Sequence, residues 1–347
     1  MTFSQTGAFS QPARLDLIDR YFGDRLVTPQ EAWKDVYRLL LWADATTGLA
    51  HCYESDKAQP GRPWYARSLA FHSWLAMHFD VKPVDLADRL DWMFRQVIKR
   101  VADEETAKRE VLEEKAQAQI AEFPNPMPAP DDDPELRDLI EPLLMDGSHA
   151  PSDSTVRYVL RRVRAHITSE NKRKNLLGRG FEDVLAGVIQ RLDIPARPEI
   201  GTQTAIQNIE GFRPPREGAK DEKVDLHALT PGKRRVLVSA KWSVRADREK
   251  QMLFDFRTYV DCNVRLEPFE YVWVTNEFDP ARLVANATST EGNQRLFDAV
   301  VHVCPPALTV VHKLDGPELS GTPKRLKELL DEGRIVGLGD WLEGLGA

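Results

Sequence analysis

Apolar residues recur at helical spacing through the first third of the chain, and runs of strand length appear only after residue 220. Thr28-Pro29-Gln30-Glu31 predicts a helix start, with Thr as N-cap, Pro in the first turn and Glu three residues on. Trp33, Val36, Leu39, Leu40 and Trp42 then form one apolar face to about Ala45. A second amphipathic helix is expected from about Trp64 to Phe79. Pro83 opens a third over about Val84 to Glu122. Its first half places Leu86, Leu90, Met93, Val97 and Val101 at helical spacing, and its Glu/Lys/Ala-rich second half, with many i,i+4 pairs, suits solvent.

Between Phe123 and Pro134, four prolines precede three aspartates, a composition that reads as a linker. It divides the chain into residues 1–130, a mainly helical accessory region, and residues 131–347. In the second part, helices are expected at Pro134–Met145, Ser154–Ser169 and Asn171–Leu192. A long polar stretch, Asp193 to Lys223, then reads as a loop. A hairpin follows: Val224–Leu229, a turn at Thr230-Pro-Gly-Lys233, then Arg234–Lys241. Next come a helix at Asp247–Val260, a strand at Glu270–Thr275, a short helix at Pro280–Ala287, and strands at Ala299–Cys304 and Leu308–Lys313. Helices at Thr322–Asp331 and Gly339–Leu345 finish the chain. Strands with helices before, among and after them predict an α/β fold on a mixed sheet.

The 42% hydrophobic and 29% charged composition is that of an ordinary globular protein, and no apolar run approaches the ~18 residues of a membrane span. The opening Met1-Thr-Phe-Ser-Gln-Thr-Gly has neither a basic nor an apolar signal segment, and Cys52, Cys262 and Cys304 form no pattern. A reducing cytoplasm is the expected location. The net charge of −7 argues against nucleic acid until its distribution is considered. Arg157, Arg161, Arg162, Arg164, Lys172, Arg173, Lys174 and Arg179 face a single acid, Glu170, across Val156–Gly180. Such a run is either a solvated helix face or a phosphate-contacting surface.

One stretch joins a strand to a charge cluster: Val236-Leu-Val-Ser239-Ala-Lys241-Trp-Ser-Val-Arg245-Ala-Asp247-Arg248. Hydrolysis of a phosphodiester needs carboxylates for a hard cation, a positive charge on the attacked phosphate and an activated water. Asp225 on one hairpin strand and Lys241 on the other meet part of that need if they share a sheet face. A two-residue turn at Pro231-Gly232 would set Asp225 against Val238, on the opposite face. A three-residue loop centred on Gly232 sets it against Ser239, on the face of Lys241. The second register, or a bulge, is therefore expected.

Asp225 followed by Ser239-Ala-Lys241 resembles the PD-(D/E)xK nuclease signature with Ser in the usual acid position. That departure is similar to the CCGG-type type II restriction endonucleases, whose missing carboxylate comes from the next helix, fourteen residues after the Lys. Here that position is Asp255, in place of the family's usual Glu, with Glu249 a nearby rival. Lys241-Trp242-Ser243-Val244-Arg245-Ala246-Asp247-Arg248 matches the family's Lys-Trp-x-x-Arg-x-Asp-Arg, whose arginines and aspartate read CCGG from the major groove. The chemistry agrees, since Arg is bidentate to guanine and Asp accepts from cytosine N4. The family's Glu on a helix before the sheet corresponds to Glu182, with Asp183 the alternative, and Lys172, Arg173, Lys174 and Arg179 would then lie near phosphates.

The resemblance implies a restriction-endonuclease-like fold and Mg2+ held by Asp225, Asp255 and Glu182, with Lys241 at the water or scissile phosphate. It also implies double-stranded DNA as substrate, 5′ phosphate ends, a homodimer or homotetramer, and no membrane. A repair or modified-DNA nuclease and a non-catalytic DNA-binding protein are the competing readings. His227 falls on the Asp225 face but reads as structural, Trp242 as core. Ser239 lacks the surroundings of a nucleophile.

Overall fold

A computed structural model describes residues 9–44, 48–50, 60–120, 134–147, 149–215, 222–244, 246–264 and 267–346. In chain order the elements are α1 (Gln11–Phe22), α2 (Ala32–Leu40), β1 (Trp42–Asp44), β2 (Gly48–Ala50), α3 (Pro63–His78), α4 (Trp92–Ile120), α5 (Pro134–Ile140) and α6 (Asp153–Gln190). They continue with β3 (Glu199–Ala205), β4 (Lys223–Leu229), β5 (Arg235–Lys241), α7 (Ala246–Cys262), β6 (Phe269–Thr275) and α8 (Pro280–Ala287). Last come β7 (Thr290–Glu291), β8 (Gln294–Arg295), β9 (Ala299–His302), α9 (Pro305–His312), α10 (Gly321–Asp331), β10 (Ile335–Gly337) and α11 (Leu338–Gly344).

Contacts divide the chain into two compact units. One comprises Met1–Ala13 and Met93–Leu176, the other Arg14–Trp92 and Leu177–Ala347. The first is helical. Its buried residues include Phe94, Val97, Ile98, Val156, Leu160 and Ala165, with the Phe94 ring edge-on to His166.

The second unit is a mixed six-stranded sheet flanked by helices, in the order β10-β9-β6-β5-β4-β3. β3, β4 and β5 pair antiparallel, whereas β5, β6, β9 and β10 run parallel. Central β5 is buried from Arg235 to Ala240, as its continuous Val-Leu-Val run requires of a strand covered on both faces. From α7, Met252 and Tyr259 are buried, and Tyr259 and Phe256 meet the Tyr271 ring of β6 at 5.6 and 5.7 Å. From α2 and α3, Tyr37 donates to Asn276 Oδ1 at 2.8 Å and Phe71 packs on Phe278 at 4.9 Å.

These last contacts place Arg14–Trp92 with the sheet, and the boundary expected near residue 130 lies outside the described residues. Several expectations change. The helix after Thr28 begins as a 3-10 turn, Thr28 makes no side-chain cap, and Trp42 starts a short strand. Pro83 opens a 3-10 segment, and α4 begins only after Asp91, whose φ of 58° interrupts the helix. The two helices expected over Ser154–Leu192 are the single α6. Asp193–Lys223 is not all loop, since β3 lies within it. Leu308–Lys313 is not a strand: Leu308–His312 belong to α9, and Lys313 caps it in the left-handed conformation. Pro305 and Pro306, suited to a first helical turn, outweigh the short β-branched run.

The β4–β5 register is Leu226↔Val238 through Leu229↔Arg235, which carries Asp225 to the level of Ser239 as expected. The pairing continues through Thr230 N–H to the Arg234 carbonyl, leaving Pro231-Gly232-Lys233 as the loop. The left-handed residue of this loop is Lys233, φ 62°, rather than Gly232. A turn followed by one αL residue has the twist that an antiparallel hairpin needs.

His302 and His312 are buried in this unit and held neutral by burial. Their pKa values are pulled down from 6.5 to about 3 and about 4. His302 Nδ1 accepts from the Cys304 N–H, so Nε2 carries the proton that is donated to the Glu277 carbonyl. Between the folded and unfolded pKa values the unfolded chain binds more protons, so these groups make stability rise with pH up to about 6.5. In urea titrations from pH 5 to 8, His302→Gln should flatten this rise relative to wild type, by up to about 1.4 kcal/mol per pH unit below 6.5. An unchanged slope would contradict the assignment.

Candidate active site

The centre of the site is the exit of the β4–β5 hairpin. Lys241 Nζ lies 2.5 Å from Asp225 Oδ2, and the same oxygen accepts the Ala240 N–H at 3.0 Å. Strand alternation orients both side chains, and the backbone bond then fixes the carboxylate against the strand end. Burial pulls the Lys241 ammonium down. The ion pair with Asp225, followed by the charges of Glu182 and Asp255, outweighs it and raises the pKa above the ordinary lysine value.

Helix α6 contributes Glu182. Adjacent helix residues point about 100° apart, and the two neighbouring acids take different roles. Asp183 is buried against Arg14, Oδ2 to Nε at 2.6 Å, in an ion pair that ties α1 to α6. Glu182 accepts from Gln203 Nε2 at 2.6 Å. Burial first, and the Asp225 charge second, raise its pKa from 4.5 to about 8, against the opposing pull of Lys241 and Gln203. Asp255 on α7 is buried and accepts from Gln251 Nε2 at 2.6 Å. Burial raises its pKa too, opposed by the Gln251 hydrogen bond and the Lys241 charge. Glu222 also bears on the Asp255 carboxyl.

These side chains are electrostatically coupled, yet no three His, Cys, Asp or Glu among the described residues are grouped tightly enough to hold a metal ion together. The donor chemistry fits Mg2+ in a narrower sense. Mg2+ takes oxygen ligands, and one or two carboxylates commonly suffice when phosphate and water complete the shell. Glu182 and Asp225 provide such oxygens, and their mutual repulsion is the kind a bound cation relieves.

Behind Lys241, a buried polar clamp shapes the chain. Glu277 is fully buried on the loop after β6, and its carboxylate accepts the Val244 and Asp279 N–H groups, each at 2.8 Å, with Arg282 Nη1 at 3.6 Å. Asn276 N–H donates to the Trp242 carbonyl at 2.9 Å. Trp242 is core, edge-on to Phe181 at 5.4 Å. His227 shares the Asp225 face but bonds Thr204 Oγ1 at 3.1 Å, a structural contact. Among the described residues no basic side chain is hydrogen-bonded to the buried Ser239 Oγ, which does not fit a nucleophile paired with a base.

Arg245 lies outside the described residues. Asp247 and Arg248 fall in the first turn of α7, and Lys172, Arg173 and Lys174 in α6, with side chains outside the described set, as is that of the rival Glu249. Arg179 is exposed. Gln203, Gln251 and Glu222 also bear on the Glu182 and Asp255 carboxylates and do not stand out in the amino-acid sequence. Only the i,i+4 spacing of Gln251 and Asp255 on one helix was a legible signal. Nothing in the polar stretch around Gln203 marked it as a strand.

No family model and no curated protein matches the chain. Among solved structures it is similar to a complex of the restriction endonuclease PspGI with substrate DNA. That likeness has 9% identity and a TM-score of 0.33, covering 53% of this chain and 66%, just under two thirds, of the other. It is also similar to metal-depleted Ecl18kI in complex with uncleaved, modified DNA, with 13% identity and a TM-score of 0.30, covering 97% of this chain and 83% of the other.

The two adjacent acids of α6 should behave oppositely in metal-free unfolding. Asp183→Asn, which leaves Arg14 buried with a weakened partner, should cost about 3 kcal/mol or more. Glu182→Gln, which replaces a carboxyl held mostly protonated at neutral pH by a neutral amide of the same shape, should cost under about 1 kcal/mol or stabilise. Chemical denaturation at neutral pH measures both, and equal losses would contradict the division of roles.

Proposed function

We propose that the chain is a Mg2+-dependent, site-specific endonuclease of double-stranded DNA. In this reading it is of the type II restriction kind and acts on a target containing CCGG. The observation that carries the proposal is the convergence of Asp225, Lys241 and Glu182 at one hairpin exit, with Asp255 within electrostatic reach. The Lys-Trp-x-x-Arg-x-Asp-Arg run that leaves this exit supports the target assignment.

Asp225 and Glu182 are the residues that would hold the cation, Asp225 already fixed by the Ala240 N–H, with Asp255, the third carboxylate the family resemblance implies, bearing on them through its charge. A bound divalent cation supplies Lewis-acid stabilisation of the phosphate and a lowered pKa for coordinated water. Lys241, kept charged beside the acids, offers its ammonium to the scissile phosphate or to the attacking water. Arg245, Asp247 and Arg248 read base edges, and Lys172, Arg173, Lys174 and Arg179 contact backbone phosphate. A palindromic target calls for two-fold symmetry, hence a homodimer or homotetramer. By family likeness the products carry 5′ phosphates on four-base 5′ overhangs, and the enzyme works in a bacterial cytoplasm. No described helix is long and apolar enough to cross a membrane.

Digestion of defined plasmids with and without CCGG, with the ends sequenced, tests this reading. Discrete cuts at a CCGG-containing sequence are expected in Mg2+ and none in EDTA. Cutting independent of CCGG contradicts the target, and absence of any cutting contradicts the activity. Lys241→Ala and Asp225→Ala should each lower single-turnover cleavage by about a hundredfold or more. Arg245→Ala should relax choice at one base position by roughly 1–3 kcal/mol, with a smaller effect on salt dependence.

A further inference from the structure

Among the described residues, five non-glycine positions have positive φ: Asp80, Asp91, Gln203, Lys233 and Lys313. Four of them sit in turns, between helices or at a helix end. Gln203, at φ 50°, lies inside a strand. β3 pairs with β4 through Thr202↔Leu226 on one side and Thr204↔Val224 on the other, so the register is the same before and after Gln203. No residue has been inserted, and the left-handed conformation is not the by-product of a bulge. By that count Gln203 stands opposite Asp225. An L-residue in this region carries Cβ strain that persists only where the surroundings over-determine it, and such residues cluster at functional sites.

Gln203 Nε2 donates to Glu182 Oε2 at 2.6 Å, a charge-assisted contact when the carboxyl is ionised. The neighbouring pair supports the same geometry. Gly201 pairs with His227, and a Cβ there would lie 2.4 Å from His227 Nε2, so the missing side chain lets the imidazole fold over β3 to Thr204. β3 is thereby held close to β4 on both sides of the strained residue.

We propose that Gln203 is a positioning residue of the site. Its left-handed backbone turns the carboxamide onto Glu182 and anchors one carboxylate oxygen, leaving the other for a cation shared with Asp225. The inference rests on the nuclease reading only for its catalytic consequence. The strain and the Gln203–Glu182 coupling stand on geometry alone.

The test compares Gln203→Ala, Gln203→Gly, Glu182→Gln and the double variants with wild type. Unfolding midpoints are measured in EDTA, and single-turnover cleavage of a CCGG duplex is measured in Mg2+. In EDTA, Gly at 203 should be more stable than Ala, the reverse of the usual order inside a strand. Equal stability, or a more stable Ala variant, overturns the strain. The Gln203→Ala effect on the midpoint should shrink in the Glu182→Gln background, and full additivity overturns the contact.

In cleavage, both 203 variants should lose about tenfold or more, the worth of a charge-assisted hydrogen bond, at unchanged DNA affinity. Adding Gln203→Ala to Glu182→Gln should cost less than about twofold. Multiplying losses overturn the positioning role. If the wild type does not cut, the nuclease reading fails, and the EDTA measurements alone then decide for or against Gln203.

Discussion

The site depends on the register of one hairpin. With Leu226 opposite Val238, Asp225 and Lys241 share a face, and a slip by one residue would put the two charges on opposite sides of the sheet. The three-residue loop sets this register, and its αL residue, Lys233, accepts a conformation that glycine would take at less cost. The Ala240 N–H then locks the carboxylate to the strand end, so the ion pair has little freedom to rearrange. Every other group of the site is brought to this point by a different element: Glu182 by α6, Gln203 by β3 and Asp255 by α7.

That convergence opposes stability. Glu182 is a buried carboxyl beside another carboxylate, with its pKa raised to about 8, and Gln203 holds a backbone conformation that L-residues avoid. The rest of the unit offsets these costs with apolar packing and satisfied polar contacts. The Arg14–Asp183 pair fixes α6 so that Glu182 faces inward. Glu277 fixes the residue immediately before Arg245, which couples the end of the Lys241 strand to the start of the segment proposed to read bases.

Much of this was legible in the chain. Period-two alternation and the demand that Asp225 and Lys241 share a face selected the hairpin register without coordinates. The α7 helix, β6 and α8 followed from equally plain patterns. Three features were illegible for physical reasons. β3 is a polar edge strand, Glu-Ile-Gly-Thr-Gln-Thr-Ala, with no apolar alternation to mark it, so Gln203 was hidden with it. α9 is short and rich in β-branched residues, and length alone could not separate it from a strand. The attachment of Arg14–Trp92 to the sheet unit is made by long-range contacts such as Tyr37 to Asn276, which local composition does not encode.

The role proposed for the hairpin exit is that of a cation-dependent hydrolytic centre built on Asp225 and Glu182. Anomalous diffraction from crystals of the protein with uncleaved DNA and Mn2+ tests it most directly. An ion bound by the Asp225 and Glu182 carboxylates, beside a DNA phosphate and within reach of Lys241, is expected. An ion found elsewhere, or a phosphate-bound site in which Lys241 still occupies Asp225 and no ion is present, would contradict it.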